Sequence, residues 1–134
     1  MPTVFLSLGS NLGDREVNIR RAVECLVRDG MRIIEVSPII ETDPVGGPPQ
    51  GLFLNAALKA ETSLAPLDLL HCIHRIEEEL GRVRTVRNGP RTIDIDILLY
   101  DDLKLASPAL TIPHPRMVER DFVMRPLNFL GLRG

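Results

Sequence analysis

The sequence predicts an α+β sandwich of ferredoxin-like order, βαββαβ, in which one antiparallel sheet carries two helices on one face. Three observations carry this reading. Thr3 to Leu8, Phe53 to Thr62 and Ile93 to Tyr100 alternate with period two, as strands do. Ile19, Ala22, Val23, Leu26 and Val27, and later Leu69, Ile73, Ile76 and Leu80, recur at helical spacing. Glycine- and proline-rich breaks separate these stretches. At 134 residues the chain is large enough to bury a core without staples, so residues 1–134 are read as one domain.

The elements follow in order. Thr3 to Leu8 is the first strand, and Gly9 to Gly13 is read as a turn. Neither the Gly-Lys-Ser/Thr of a P-loop nor a Gly-x-Gly-x-x-Gly is present there. Asp14 can cap the helix that follows, and Gly30 can end it. Arg32 to Val36 is the second strand, running on to Thr42 past a distortion at Pro38. Asp43 to Gly51 holds three prolines and three glycines and is irregular. Phe53 to Thr62 directs Leu54, Ala56, Leu58 and Ala60 to one face and Phe53, Asn55, Ala57 and Lys59 to the other. Pro66 suits the first turn of the second helix, in which Cys72 joins the apolar stripe, and Gly81 ends it. Arg82 to Arg91 is a second irregular stretch, with arginines at 82, 84, 87 and 91. The last strand of the sheet follows, then a turn at Asp101-Asp102, a break at Pro113 to Arg116, and an amphipathic segment from Met117 to Leu132.

Composition narrows the function classes. A net charge of −2 creates no global field towards nucleic acid or an anionic membrane. No apolar run of transmembrane length is present. Cys25 and Cys72 form no Cys-x-x-Cys pair and are read as reduced core thiols, which points to the cytoplasm.

The chemistry concentrates in Asn88 to Tyr100. Asp94 and Asp96 share one face of their strand, about 6.8 Å apart along it. Two carboxylates at that range repel by roughly 2–3 kcal/mol at an effective dielectric near 20. Asp is also depleted in strands, so the sheet gains nothing from either. A divalent cation between them reverses the sign, and oxygen-only ligation selects magnesium over zinc. Arg91 adds a planar fork for phosphate oxygens. Arginine, paired carboxylates and a hard cation suit nucleotide phosphate chemistry. The plainer reading is a solvated face of an edge strand.

Gly89-Pro90-Arg91-Thr92-Ile93-Asp94-Ile95-Asp96-Ile97-Leu98-Leu99-Tyr100 closely resembles the signature of the 6-hydroxymethyl-7,8-dihydropterin pyrophosphokinases. The resemblance extends over nearly the whole chain. It includes Leu8 to Gly13, Thr42-x-Pro44-x-Gly46, Phe53 to Ala56, Gly81-Arg82-x-Arg84, and Pro113 to Met117 with Arg120, Phe122 and Pro126-Leu127. It implies transfer of pyrophosphate from ATP to the hydroxymethyl group of a reduced pterin, with release of AMP, in folate biosynthesis. It implies Asp94 and Asp96 as ligands of two Mg2+ ions and Arg82 and Arg91 as catalytic cations. For ATP it implies Leu70, His74, Glu77, Arg84, Ile97, Thr111, His114 and Arg120. For the pterin it implies Thr42, Pro44, Val45, Phe53, Asn55 and Phe122, the two phenylalanines sandwiching the ring. Glu77 has a competing reading as a solvated helix face. His74 stands where some members carry Gln, and Asn88 where many carry Trp. ATP and the reduced pterin are the expected partners of a monomer that binds neither nucleic acid nor membrane.

Two rivals remain at this stage. One is a binding module of the same topology without catalysis, for RNA or a metabolite. The absence of aromatic-basic strings argues against RNA. The other is an ATP-using enzyme for a different heterocycle, which no feature favours.

Overall fold

A computed structural model of the chain describes residues 1–44, 49–81 and 92–131. Its elements are β1 (Thr3–Ser10), α1 (Arg15–Arg28), β2 (Arg32–Val36), β3 (Ile40–Thr42), β4 (Phe53–Glu61), α2 (Pro66–Glu79) and β5 (Asp94–Tyr100). A short ribbon of β6 (Leu105–Ala106) and β7 (Thr111–Ile112), a 3-10 turn at Met117–Glu119 and α3 (Asp121–Phe129) follow. The sheet runs β2-β4-β1-β5, all pairs antiparallel, with β3 also paired to β4. Strand, helix, strand, strand, helix, strand is the expected order, and β5 lies at an edge.

The local signals act as read. The Asp14 carboxylate accepts the Val17 N–H at 3.2 Å and opens α1. Pro66 occupies the first turn of α2. Gly30 and Gly81 take φ of 100° and 88° past the two helix ends, a region side chains resist. The break at Pro38 divides β2 from β3, which lie end to end along β4. Ser37 spans the gap: its N–H donates to the Ala57 carbonyl at 2.8 Å and its hydroxyl accepts the Ala57 N–H at 2.8 Å.

The main core lies between the sheet and the α1/α2 layer. Val4, Leu6, Leu8, Ala56, Leu58, Ala60, Ile95 and Ile97 meet Ile19, Leu26, Leu69, Ile73 and Ile76 there. The amphipathic segment supplies a layer on the opposite face. There α3 packs over β4 and β3, and Val123, Leu127 and Met117 cover Ala57 and Leu98. Cys25 and Cys72 are buried and unbridged.

Two expectations change. Gly9 and Ser10 belong to β1 rather than to a turn, because both still pair with β4. The alternation of the Asp-bearing strand also breaks near its end. Leu6 pairs with Ile97 and Phe5 with Leu99, so Leu98 is the extra residue of a bulge. Leu98 and Leu99 therefore both join the α3 cluster, while Tyr100 turns back to the main core.

Candidate active site

The face of the sheet away from α1 and α2 is assembled by register. Gly9 pairs with Asn55 on one side and Asp94 on the other, and Ser7 pairs with Ala57 and Asp96. Asn55, Gly9 and Asp94 thus form one row across three strands. With neighbouring strands about 4.8 Å apart, Asn55 and Asp94 stand about 10 Å apart. Asp94 and Asp96 point to the same side, both half-buried, as the alternation requires.

A cavity of about 310 Å³ runs along the outer edge of β5. Leu70, His74 and Glu77 of α2, Asp94 to Ile97 of β5, Thr111 of β7 and His114 line it, closed by the turn Ser107 to Leu110. Eight expected residues therefore meet here: Leu70, His74, Glu77, Asp94, Asp96, Ile97, Thr111 and His114. The turn Ser107 to Leu110 was not foreseen. Its Ser-Pro pair is the signal available in the sequence. In the structure the Ser107 hydroxyl donates to the Leu110 carbonyl at 3.0 Å and accepts the Leu110 N–H at 3.1 Å.

Glu77 is 3% exposed, which excludes the solvated-face reading. Its carboxylate accepts the Ile95 N–H at 2.9 Å. That N–H lies on the edge of β5, between the two aspartates, where no further strand among the described residues accepts it. Glu77 therefore holds the backbone from which Asp94 and Asp96 project.

His114 is held by its backbone N–H, which donates to the Leu98 carbonyl at 3.0 Å. Burial pushes the imidazole below its usual pKa. The Arg120 guanidinium pushes the same way, and Asp94 opposes both. His114 thus lines the cavity with its neutral form favoured. The same charges link it to Arg120, which lies 5.6 Å over the Phe122 ring.

Arg120 and Phe122 line a second cavity of about 430 Å³, between the end of β3 and the start of α3. Thr42 lines it as well, with Glu41, Asp43, Glu119, Asp121 and Arg125. Phe53 and Asn55 are not among its lining residues but adjoin it. Thr42 pairs with Phe53, and the Asn55 amide Nδ2 donates to the Thr42 hydroxyl at 2.6 Å. Pro44 follows β3 by two residues. Val45, Arg82, Arg84 and Arg91, together with Asn88, lie outside the described residues.

The carboxylate pair suits magnesium in kind and number. Magnesium is commonly held by one or two carboxylates, with waters and substrate phosphates completing its octahedron. Among the described residues no cluster of three or more His, Cys, Asp or Glu forms an all-protein cage. Asp94 and Asp96 thus supply a partial shell that a polyphosphate can complete.

The structure is thus a ferredoxin-like sandwich with an acidic pair lining a cavity at the sheet edge and a second cavity at the start of the third helix. Residues 5–131 match the family of 7,8-dihydro-6-hydroxymethylpterin-pyrophosphokinases (HPPK), and the chain belongs to that family. A Bacillus subtilis 2-amino-4-hydroxy-6-hydroxymethyldihydropteridine pyrophosphokinase is 50% identical over 124 residues, covering 92% of this chain and 74% of that one. The folic acid synthesis protein fol1 of Schizosaccharomyces pombe is 46% identical over 128 residues, covering 95% of this chain. This chain spans 18% of that longer relative. The HPPK-DHPS of Plasmodium falciparum superposes with a TM-score of 0.71 over 97% of this chain and 40% of that one. At 19% identity this likeness speaks for the fold. Among the described residues, no helix is long and apolar enough to cross a membrane.

Proposed function

We propose that this chain transfers the pyrophosphoryl group of ATP to the hydroxymethyl oxygen of 6-hydroxymethyl-7,8-dihydropterin, releasing AMP, in folate biosynthesis. The observation that carries the reading is the place of Asp94 and Asp96, which line the edge cavity, with Asp94 in one row with Asn55 across β1. Family membership and the names of the relatives support the same reaction.

The edge cavity takes the nucleotide. Leu70 and Ile97 offer apolar surface for the base, and His74, Thr111 and His114 offer polar contacts to ribose and phosphates. The row from Asn55 takes the pterin. The Asn55 amide has donor and acceptor for the ring's amide-like edge. Phe53 and Phe122 flank the ring, and Thr42, Pro44 and Val45 complete the pocket. Asp94 and Asp96 would hold two Mg2+ ions, which would supply positive charge against the triphosphate.

In the reaction the pterin oxygen bonds to the β-phosphorus, and the bond from that phosphorus to the oxygen bridging to the α-phosphate breaks. The alcohol proton leaves to solvent, and AMP carries away the bridging oxygen. Such a transfer depends on alignment and on neutralising charge more than on covalent help. Arg82 and Arg91 neutralise oxygens of the transferred group, with Arg84 and Arg120 on the remaining phosphates. Neutral His114 donates a hydrogen bond without adding charge. The protein works as a monomer in the cytoplasm, with residues 1–134 as one domain.

The test is one incubation with ATP, magnesium and hydroxymethyldihydropterin, followed by separation of the nucleotides. AMP and the diphosphorylated pterin should appear in equal amounts, and only with magnesium. ADP in place of AMP, or no pterin-dependent turnover, contradicts the assignment.

A further inference from the structure

Gly9 lies inside β1, flanked by Asn55 of β4 and Asp94 of β5. A glycine within a strand weakens it, since it packs no side chain and loses more backbone freedom. Conformation does not require one here. Gly13, Gly30, Gly81 and Gly131 take positive φ, whereas Gly9 keeps backbone angles that other residues adopt. What Gly9 provides is space. A Cβ at this position would stand 2.9 Å from the Asn55 Oδ1 and 3.6 Å from the Phe53 Cδ1. The first distance is a clash, and the amide is poorly placed to retreat. Asn55 is 4% exposed, and its Nδ2 is held by the Thr42 hydroxyl.

We propose that Gly9 is a positioning residue for the pterin. Its bare Cα is the seat on which the Asn55 amide and the Phe53 ring converge, and it fixes their placement along the row that leads to Asp94. The inference rests on the proposed assignment of Asn55 and Phe53 to the pterin. A methyl group at position 9 displaces the Asn55 carbonyl and the hydrogen-bond geometry it offers. None of the three atoms nearest that methyl belongs to β5, so the carboxylate pair and the edge cavity stay as they are.

The experiment uses calorimetric titration on the parent, Gly9→Ala, Asn55→Ala and the double variant. Hydroxymethylpterin is titrated into protein saturated with magnesium and a non-hydrolysable ATP analogue, and the analogue is titrated separately. Gly9→Ala should weaken pterin binding by about tenfold, the scale of one misaligned hydrogen bond, and change analogue affinity by less than about twofold. Adding Gly9→Ala to Asn55→Ala should change pterin affinity by less than about threefold, because the group it displaces is gone. Pterin affinity within about twofold of the parent, equal losses for both ligands, or the full loss repeated on the Asn55→Ala background would each overturn the proposal. Should Gly9→Ala alone fail to fold, the double variant, in which the methyl has room, carries the test against Asn55→Ala. A parent that binds pterin but releases no AMP contradicts the proposed reaction and leaves the Gly9 comparison standing. A parent that binds no pterin overturns both.

Discussion

The cavity at the edge of β5 and the cavity under α3 flank the same face of the sheet but are built in different ways. The edge cavity is made by elements that the register and core already fix. Ile95 and Ile97 are buried in the main core, so Asp94 and Asp96 must point the other way. Glu77 then ties the edge backbone to α2. The second cavity is made by segments distant in sequence, the end of β3 and the start of α3, and it is ringed by ionic side chains. One site is set by backbone periodicity, the other by docking of a late helix. Substitutions in the first should therefore act through metal and nucleotide, and those of Thr42 and Phe122 in the second through pterin, while Arg120 serves the phosphates from the second cavity's wall.

The largest effect is expected at the acidic pair of the edge cavity. Asp94→Asn or Asp96→Asn should lower turnover by about 10³-fold or more, since either change removes a ligand from a charge-neutralising ion. Melting without magnesium should stay close to that of the parent, because both side chains are only half-buried and lie outside the main core. Steady-state rates and thermal melts measured together check this. An inactive variant that also melts far lower would make the pair structural.

Glu77 probes the edge cavity alone. Glu77→Ala should weaken magnesium-nucleotide binding or turnover by about 10–100-fold, the usual cost of losing a group that orients ligands. Glu77→Gln, whose amide oxygen can still accept the Ile95 N–H, should recover most of it. If Gln fails as badly as Ala, the charge of Glu77 matters rather than its hold on the strand. Phe122→Ala is the counterpart. It should weaken pterin binding by about tenfold with little change for nucleotide, in line with the loss of a ring-stacking partner. An equal loss for nucleotide would mean that α3 shapes both cavities.

These contrasts follow how the chain could be read. Period two placed Asp94 and Asp96 on one face, and the structure agrees because those residues pair regularly with β1. The same period misplaced Leu99 and Tyr100, since a bulge is set by what the strand packs against, and α3 supplies a second apolar face for Leu98 and Leu99. Gly9 read as a turn because glycine usually marks one. Its role inside a strand depends on Asn55, 46 positions later, and no local pattern shows that. The sequence leaves Glu77 between a role supporting nucleotide or loop and a solvated helix face for the same reason. Its partner is a backbone N–H on β5, and backbone groups leave no mark in a sequence. Thr42, Phe53, Asn55 and Phe122 came from the family resemblance rather than from periodicity. The structure brings Thr42 to Phe53 by strand pairing, joins it to Asn55 by a side-chain hydrogen bond, and brings Phe122 beside Thr42 at the second cavity.

The smallest effect lies away from both cavities and serves as a control. Arg28 bonds the Glu79 carboxylate at 2.7 Å and the Asp29 carboxylate at 3.0 Å. Cys25 donates to Glu79 and Cys72 to Asp29, so the five groups clasp α1 to α2. The Arg28 hydrogen bonds hold both carboxyls below their usual pKa values. Folded pKa values lower than unfolded ones mean stability present above the unfolded carboxylate range and lost as pH falls through the folded values. Arg28→Ala should therefore reduce the acid sensitivity of the melting temperature below about pH 4.5, with only a small loss at neutral pH, because the groups are exposed. Melting curves from pH 3 to 7 read it, and turnover should be unaffected.

The most direct test of a carboxylate pair shared by two half-sites is their thermodynamic coupling. If metal-bound nucleotide relieves Asp94 and Asp96 and completes the surface the pterin meets, each ligand must tighten the other by one and the same factor. Calorimetric titration of hydroxymethylpterin should give markedly tighter binding with magnesium and a non-hydrolysable ATP analogue than without them. Titration of the analogue with and without pterin should return the same ratio, and Asp96→Asn should shrink it towards one. Equal pterin affinity in the presence and absence of the magnesium-bound analogue would contradict the account, since the two cavities would then be independent sites on one sheet.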